Sequence, residues 1–230
     1  PYFFITRAPL MNMHITFIGH SCFIIEGTKK LLFDPMPIKD PASVCADLTL
    51  ISHAHADHLG DSPERFSTTI AIHELSGYLK SLGVKTIGMN IGGSVKYDGI
   101  TIRMVPALHS SSIRQNDGTS IYMGEPCGFI VEMDGHVIYF AGDTGLFAEM
   151  KWMKKLFHPD VAILPAGGRY TMGPEECMIA AEWIGAGIVI PMHVNTYPEI
   201  GQDMDEFKRV VELTTACHVE IMNPGDSLDI

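Results

Sequence analysis

ISHAHADHLGD, residues 51–61, sets His53, His55, Asp57 and His58 within six consecutive positions, with only Ala54 and Ala56 between them. The run leading into it, DLTLI (47–51), reads as a buried strand, so polar groups gather where a strand leaves the interior. Imidazoles and carboxylates held there need partners that satisfy them. On an extended chain His53 and His55 fall on one side, roughly 7 Å apart at a rise of ~3.3 Å per residue. That separation lets two imidazoles converge on one metal ion at about 2.0–2.1 Å. Asp57 and His58 are adjacent and diverge, while the small alanines let the loop curl without filling the space between ligands. One tetrahedral ion is poorly served by ligands packed this closely; two neighbouring ions are served well.

The remaining partners occur in the same kind of place. TIRMVPAL leads to His109, HVIYFAG to Asp143 and GIVIPM to His193, each after an apolar strand-like run. Strand ends at one rim of a sheet can aim loops at a common point. A division that satisfies two ions gives His53, His55 and His109 to one and Asp57, His58 and His193 to the other, with Asp143 bridging. A shared water would complete each shell at the open position that catalysis requires. Asp143, in FAGDTG, also suits a turn before a helix, and its strand-end place favours the ligand role. His14, His73, His136, His158 and His218 read as ordinary polar residues, His73 being the nearest of them to a site role.

The whole chain is consistent with a folded α/β protein. Its 230 residues are 46% apolar and 19% charged, which excludes disorder and allows a sizeable core. A formal net charge of −11 disfavours a nucleic-acid or anionic-membrane surface. No apolar run approaches the roughly 18 residues of a membrane span. Cys22, Cys45, Cys127, Cys177 and Cys217 are scattered with no C-x-x-C pair, the usage of reduced thiols in a cytoplasm. Residues 1–10, PYFFITRAPL, read as an N-terminal appendage ahead of Met11 or Met13, and residues 11–230 as one domain.

Strand-like runs include HITFIG, CFIIEG, KLLFDP, TIAIH, CGFIVEM, DVAILPAG and HVEIM. Asp98-Gly99 and Asp134-Gly135 signal hairpins. Helical spacing appears in GLFAEMKWMKKLF, in GPEECMIAAEWIG with Pro174 at a helix start, and in DMDEFKRVVELT with capping-box spacing from Asp203 to Glu206. Mixed hairpins and β-α alternation predict two sheets with helices packed outside. Each half ends a strand in a ligand-rich loop followed by a helix, a faint echo of a duplicated unit.

SHAHADHLGD, AGDTG and IPMHVNTYP together resemble the metallo-β-lactamase superfamily. With GHSCFIIEG, GEPCGFIVE and PAGGRYTMGP, the likeness is to a family of metal-dependent hydrolases near the ribonuclease Z-like and ascorbate-6-phosphate lactonase-like branches. It extends from Met13 to the end. The resemblance implies a four-layer αββα sandwich with a dinuclear site at one edge, and it supports the ligand division above. Ala54 and Ala56 depart from relatives that carry a Gly there; Ala disfavours positive φ. No segment resembles the basic tRNA-gripping arm of ribonuclease Z.

The chemistry implied is hydrolysis assisted by two divalent ions, which bring a shared water to hydroxide near neutral pH. Zn is favoured, because di-iron oxygen- or NO-reducing relatives carry Glu where His55 stands; Mn and Fe remain alternatives. The expected substrate is a small anionic ester, lactone or phosphodiester, with Asp57 and His58 catalytic and Asp57 orienting the hydroxide as base. His20, Arg169 and Asn195 are candidate substrate or supporting contacts, as are Ser110 and Ser111. Arg169 offers a bidentate fork for a phosphate or carboxylate. No G-x-S-x-G or G-x-x-x-x-G-K-[ST] pattern supports a serine esterase or a nucleotide loop. Two alternatives stay open: a non-catalytic metal-bound structural or sensing protein, and a ribonuclease Z-like RNA phosphodiesterase, which the acidic balance disfavours. The partner is expected to be a small molecule, with no membrane, nucleic acid disfavoured and self-association open.

Overall fold

The computed structural model describes residues 10–230. The appendage predicted over residues 1–10 lies outside them, apart from exposed Leu10. The first half of the chain forms β1 (His14–Gly19), β2 (Cys22–Glu26), β3 (Lys30–Phe33), β4 (Leu48–Leu50), β5 (Thr68–Ile72) and β6 (Thr86–Met89). The second forms β7 (Ser94–Tyr97), β8 (Ile100–Pro106), β9 (Ser112–Arg114), β10 (Ser120–Tyr122), β11 (Cys127–Met133) and β12 (His136–Phe140). It continues with β13 (Val161–Pro165), β14 (Ile188–Met192), β15 (His218–Val219) and β16 (Ser227–Asp229). Two seven-stranded sheets result, in the orders β16-β1-β2-β3-β4-β5-β6 and β15-β14-β13-β12-β11-β8-β7. Each half builds one sheet, except that β16 crosses back to pair with β1. β9 and β10 form a separate hairpin.

Both predicted Asp-Gly hairpins are present. Asp98 and Gly99 turn β7 into β8 with φ of 42° and 92°, and Asp134 and Gly135 turn β11 into β12 with φ of 54° and 84°. Consecutive left-handed residues match the twist of the flanking strands, which is why Asp-Gly serves here.

The strand directions place the functional loops. β3, β4, β5 and β6 run parallel, and β1 shares their direction because β1–β2 and β2–β3 are both antiparallel. In the second sheet β12 to β15 are parallel, and β8 shares their direction through antiparallel β11. The C-terminal ends of β1, β3 and β4 therefore share one rim, as do those of β8, β12 and β14.

Between the sheets, Phe23 and Phe33 meet Phe129 and Phe140, with Phe33 and Phe140 ring centroids 4.8 Å apart. β11, β12 and β13 are buried on both faces. Phe129, Val131, Ile138, Phe140, Val161 and Ile163 turn to the first sheet, while Ile130, Tyr139, Ala162 and Leu164 turn to the helices. This explains their nearly continuous apolar sequences. Helices α3 (Lys151–Leu156), α4 (Pro174–Ile184) and α5 (Met204–Thr214) cover the second sheet, and α2 (His73–Ser81) packs on β5 and β6. Outer positions His14, Thr16, Ile18 and Ile24 on β1 and β2 are only half-buried, so that layer is thinner.

The capping expectation for α5 holds in half. Asp203 accepts a hydrogen bond from Glu206 N at 2.9 Å, but Glu206 turns to Arg209 instead of back to residue 203. In α4 the reciprocal half forms, Gly173 N donating to Glu176 at 3.2 Å ahead of Pro174. Short strands β6, β9, β10 and β16 escaped the sequence reading, and β7 was marked only by its Asp98-Gly99 turn. They lie at sheet edges or outside the sheets, where a weak apolar pattern suffices.

Candidate metal centre

The predicted ligands sit just past C-terminal strand ends: His53 beyond β4, His109 beyond β8, Asp143 beyond β12 and His193 beyond β14. His55 precedes α1 (Ala56–Leu59), and that single turn carries Asp57 and His58. Neither Ala54 nor Ala56 has a positive φ. Nitrogens of His53, His55 and His109 lie within 4.8 Å of one another, as do donor atoms of His20, Asp57, His58 and His193. His53 Nε2 is 3.1 Å from His55 Nδ1. Asp143 joins the groups, its Oδ2 lying 3.0 Å from His193 Nε2, 3.3 Å from His58 Nε2 and 3.6 Å from His109 Nε2. Asp57 Oδ2 is 3.8 Å from His193 Nε2. The grouping follows the division read from spacing, with His20 added to the second set.

Asp34, just past β3 and wholly buried, is absent from the sequence-predicted set. Its carboxylate accepts from Ser52 N at 2.8 Å, Ser52 Oγ at 2.6 Å and His58 Nδ1 at 2.7 Å. Because the Ser52 hydroxyl gives its proton to Asp34, its oxygen must accept from His53 Nδ1, 2.9 Å away. Protons are thereby fixed on Nδ1 of both His53 and His58, leaving the Nε2 lone pairs for a metal. Asp34, His53 and His58 also have donor atoms within 4.8 Å, but Asp34 occupies the His58 nitrogen turned away from Asp143. The available signal was position: LLFDP ends a strand as the ligand runs do.

Neighbouring groups complete the frame. His55 Nε2 lies 3.4 Å from Ser110 Oγ, and Ser111 Oγ accepts from Ala54 N at 3.2 Å. His20, buried, donates from Nε2 to Asp57 Oδ2 at 3.2 Å, while Nδ1 accepts from Thr196 Oγ1 at 3.1 Å. Asn195 spends its side-chain oxygen on Gln202 N at 2.8 Å, closing its own loop. Arg169 is exposed and stacks on Tyr170, with 5.5 Å from guanidinium carbon to ring centroid. His73 is exposed at the start of α2, outside these groups. Gly142 is required before Asp143: its φ is 62°, and a Cβ would lie 2.8 Å from Ser52 Cβ.

The electrostatics suit a cation. Burial holds His53 well below its usual pKa, with His58 adding to the effect, and burial also lowers His55, His109 and His20. Burial opposes charge on His58 too, yet Asp143 and Asp34 raise it well above normal. For His193 burial is likewise outweighed, by Asp143 and Asp57, to about 9. The same imidazoles keep Asp143 ionised against its burial. His58 Nε2 and Asp143 Oδ1 are buried without hydrogen-bond partners, as positions a metal would satisfy, His58 Nε2 once it has given up its proton. Loading divalent metal near pH 7 is expected to release about two protons, from His58 and His193, since ligating nitrogens must be bare. Affinity should rise with pH, and the release from His193 should fade as pH passes about 9. Calorimetry in buffers of different ionisation enthalpy reads this; a buffer-independent heat contradicts it.

Paired sheets with an Asp/His cluster at their shared rim define a metallohydrolase scaffold of the β-lactamase type. The profile of the Beta-lactamase superfamily domain matches residues 14–193. A UPF0173 metal-dependent hydrolase of Methanocorpusculum labreanum is 77% identical over 95% of this chain and 100% of its own. That of Methanoregula boonei is 48% identical over 95% and 98%. Igni18, a metallo hydrolase from Ignicoccus hospitalis, superposes with a TM-score of 0.84 at 37% identity, covering 96% of this chain and 99% of its own. The chain belongs to the beta-lactamase superfamily and, within it, to the UPF0173 metal-dependent hydrolase family. No helix among the described residues is long and apolar enough to cross a membrane.

Proposed function

We propose that the chain is a dinuclear metal-dependent hydrolase acting on an ester, lactone or phosphodiester bond of a small anionic molecule in the cytoplasm. The observation that supports it best is the sharing of Asp143 between two donor groups, one of His53, His55 and His109 and one of Asp57, His58 and His193. Those residues would hold two divalent cations, zinc being favoured by the imidazole-rich set over manganese or iron. When bound, the pair supplies a water made acidic and a Lewis-acid grip on the attacked oxygen. Asp34 and Ser52 fix the imidazoles of His53 and His58. Asp57, 37% exposed, is the carboxylate open to an incoming molecule. Burial would raise its pKa, but hydrogen bonding to His193 and His20 lowers it far more, so Asp57 stays ionised. It therefore orients a reacting water as an acceptor. All five cysteines are free, which is consistent with a reducing compartment.

The test is metal analysis joined to a screen of lactones, bis-p-nitrophenyl phosphate and phosphorylated sugars, with and without chelator. Two metals per chain and chelator-sensitive hydrolysis are expected. A fully loaded protein that turns over none of these classes would favour the structural or sensing alternative instead.

A further inference from the structure

Between His109 and β11 the chain leaves both large sheets, and β9 and β10 pair only with each other, Arg114 opposite Ser120. The foot of this hairpin is fixed to the ligand loop by the Ser111–Ala54 hydrogen bond and the Ser110–His55 contact. Its tip is self-contained, Asp117 accepting from Thr119 N at 2.9 Å and Thr119 Oγ1 at 2.7 Å. A cavity of about 470 Å³ lies against it, within the range of small-molecule sites. His55 and Leu59 line one part; Tyr78, Ile113, Arg114 and Ser120 line others. No acidic residue and no second Lys or Arg lines it. Among the described residues, no carboxylate lies within ion-pair distance of the Arg114 guanidinium. In a chain of net charge −11, this cation beside a candidate metal ligand is left open to a ligand.

We propose that Arg114 binds the anionic end of the substrate, making the preferred substrate a compact organic anion anchored under the β9–β10 hairpin. This rests on the hydrolytic reading above and narrows its substrate class. The carboxylate or phosphate takes the guanidinium fork through two oxygens. Leu59, Tyr78 and Ile113 cover the carbon skeleton, and the bond to be cleaved reaches His55 and its neighbours. Arg169, the cation favoured from sequence, stacks on Tyr170 and does not line this cavity.

The test uses metal-loaded full-length protein and two p-nitrophenyl esters, the neutral butyrate and the anionic mono-glutarate. The wild type should prefer the anionic ester. Arg114→Ala should cut the anionic-to-neutral ratio of kcat/KM about tenfold, mainly through KM, which corresponds to about 1.4 kcal/mol. Arg114→Glu should cut it further, and Arg114→Lys should restore only part. A ratio unmoved by Arg114→Ala, or a wild-type preference for the neutral ester, overturns the proposal. Calorimetric titration of glutarate and of glycerol 3-phosphate distinguishes carboxylate from phosphate and needs no turnover. If no ester is cleaved but either anion binds in an Arg114-dependent way, the hydrolytic reading fails and this one stands. Equal affinity in wild type and Arg114→Ala, or no binding of either anion, overturns it.

Discussion

Replacing Asp34 with Ala is expected to weaken metal binding by about 10–100-fold, the cost typical of losing a group that orients metal ligands. It should also destabilise the metal-free protein by about 3–5 kcal/mol, because the change breaks a wholly buried ion pair and leaves its partner behind. His58 Nδ1 and the Ser52 hydroxyl and amide all lose their acceptor, and His53 loses the anchor behind Ser52. Asp34→Asn separates the two effects. The amide keeps the volume and one acceptor oxygen, so folding survives better. Its NH2 group must take either the Oδ1 place, where it meets the Ser52 N–H donor to donor, or the Oδ2 place, where it faces both Ser52 Oγ and His58 Nδ1; the second choice favours moving a proton to a ring Nε2. That proton would sit where a metal needs a lone pair. Thermal denaturation of both variants, with metal competition against a chromogenic chelator, reads the outcome. Wild-type affinity in Asp34→Asn would reduce Asp34 to a packing residue.

The sequence carried the ligand geometry further than it carried the frame behind it. His53 to His58 could be read because ligand spacing on one short loop survives without tertiary knowledge, and His109, Asp143 and His193 because each ends an apolar run. Parallel strand directions then bring those ends to one rim, which is the step the sequence leaves implicit. Asp34 was missed because its role is to hold other side chains, and a lone Asp before Pro35 looks like an ordinary turn former. Arg114 was missed for a related reason. It lies in the polar run SIRQNDGTS, and only the hairpin's placement beside His55 gives it a cavity to face. Asn195, a candidate substrate or supporting contact from its loop position, spends its side-chain oxygen on closing the turn to Gln202.

The layer order was legible for similar reasons. Buried strands β11 to β13 announce themselves as apolar runs, and α4 and α5 carry their own start signals. Apart from β7, marked by its Asp98-Gly99 turn, the small strands at the edges gain their order from neighbours, so nothing local marks them. The first sheet's thin outer layer is a property of packing that no periodicity in β1 or β2 encodes.

Asp143→Asn is expected to abolish loading at the shared position and to lower turnover by at least about 10³-fold. The magnitude follows from the several kcal/mol a bound cation supplies, at a tenfold rate change per 1.36 kcal/mol. Asp143 approaches the Nε2 atoms of members of both donor groups, buried beside His58, His109 and His193. An amide is nearly isosteric, so packing changes little, but the negative charge that would offset bound metal and that faces the raised imidazoles is gone. With it goes the main attraction that keeps His58 protonated, and a main one for His193. Proton release on adding metal should therefore shrink along with affinity, a link that loss of folding would not produce. Asp143→Glu keeps the charge but adds a methylene in a closed space, and should recover some metal while leaving turnover low, since small misplacements of a reacting group are costly. Metal content by mass spectrometry, turnover of the best substrate from the screen and buffer-dependent calorimetry would be compared across the three proteins. Full metal content and wild-type turnover in Asp143→Asn would mean that the groups bind independently, and the bridging role would have to be given up.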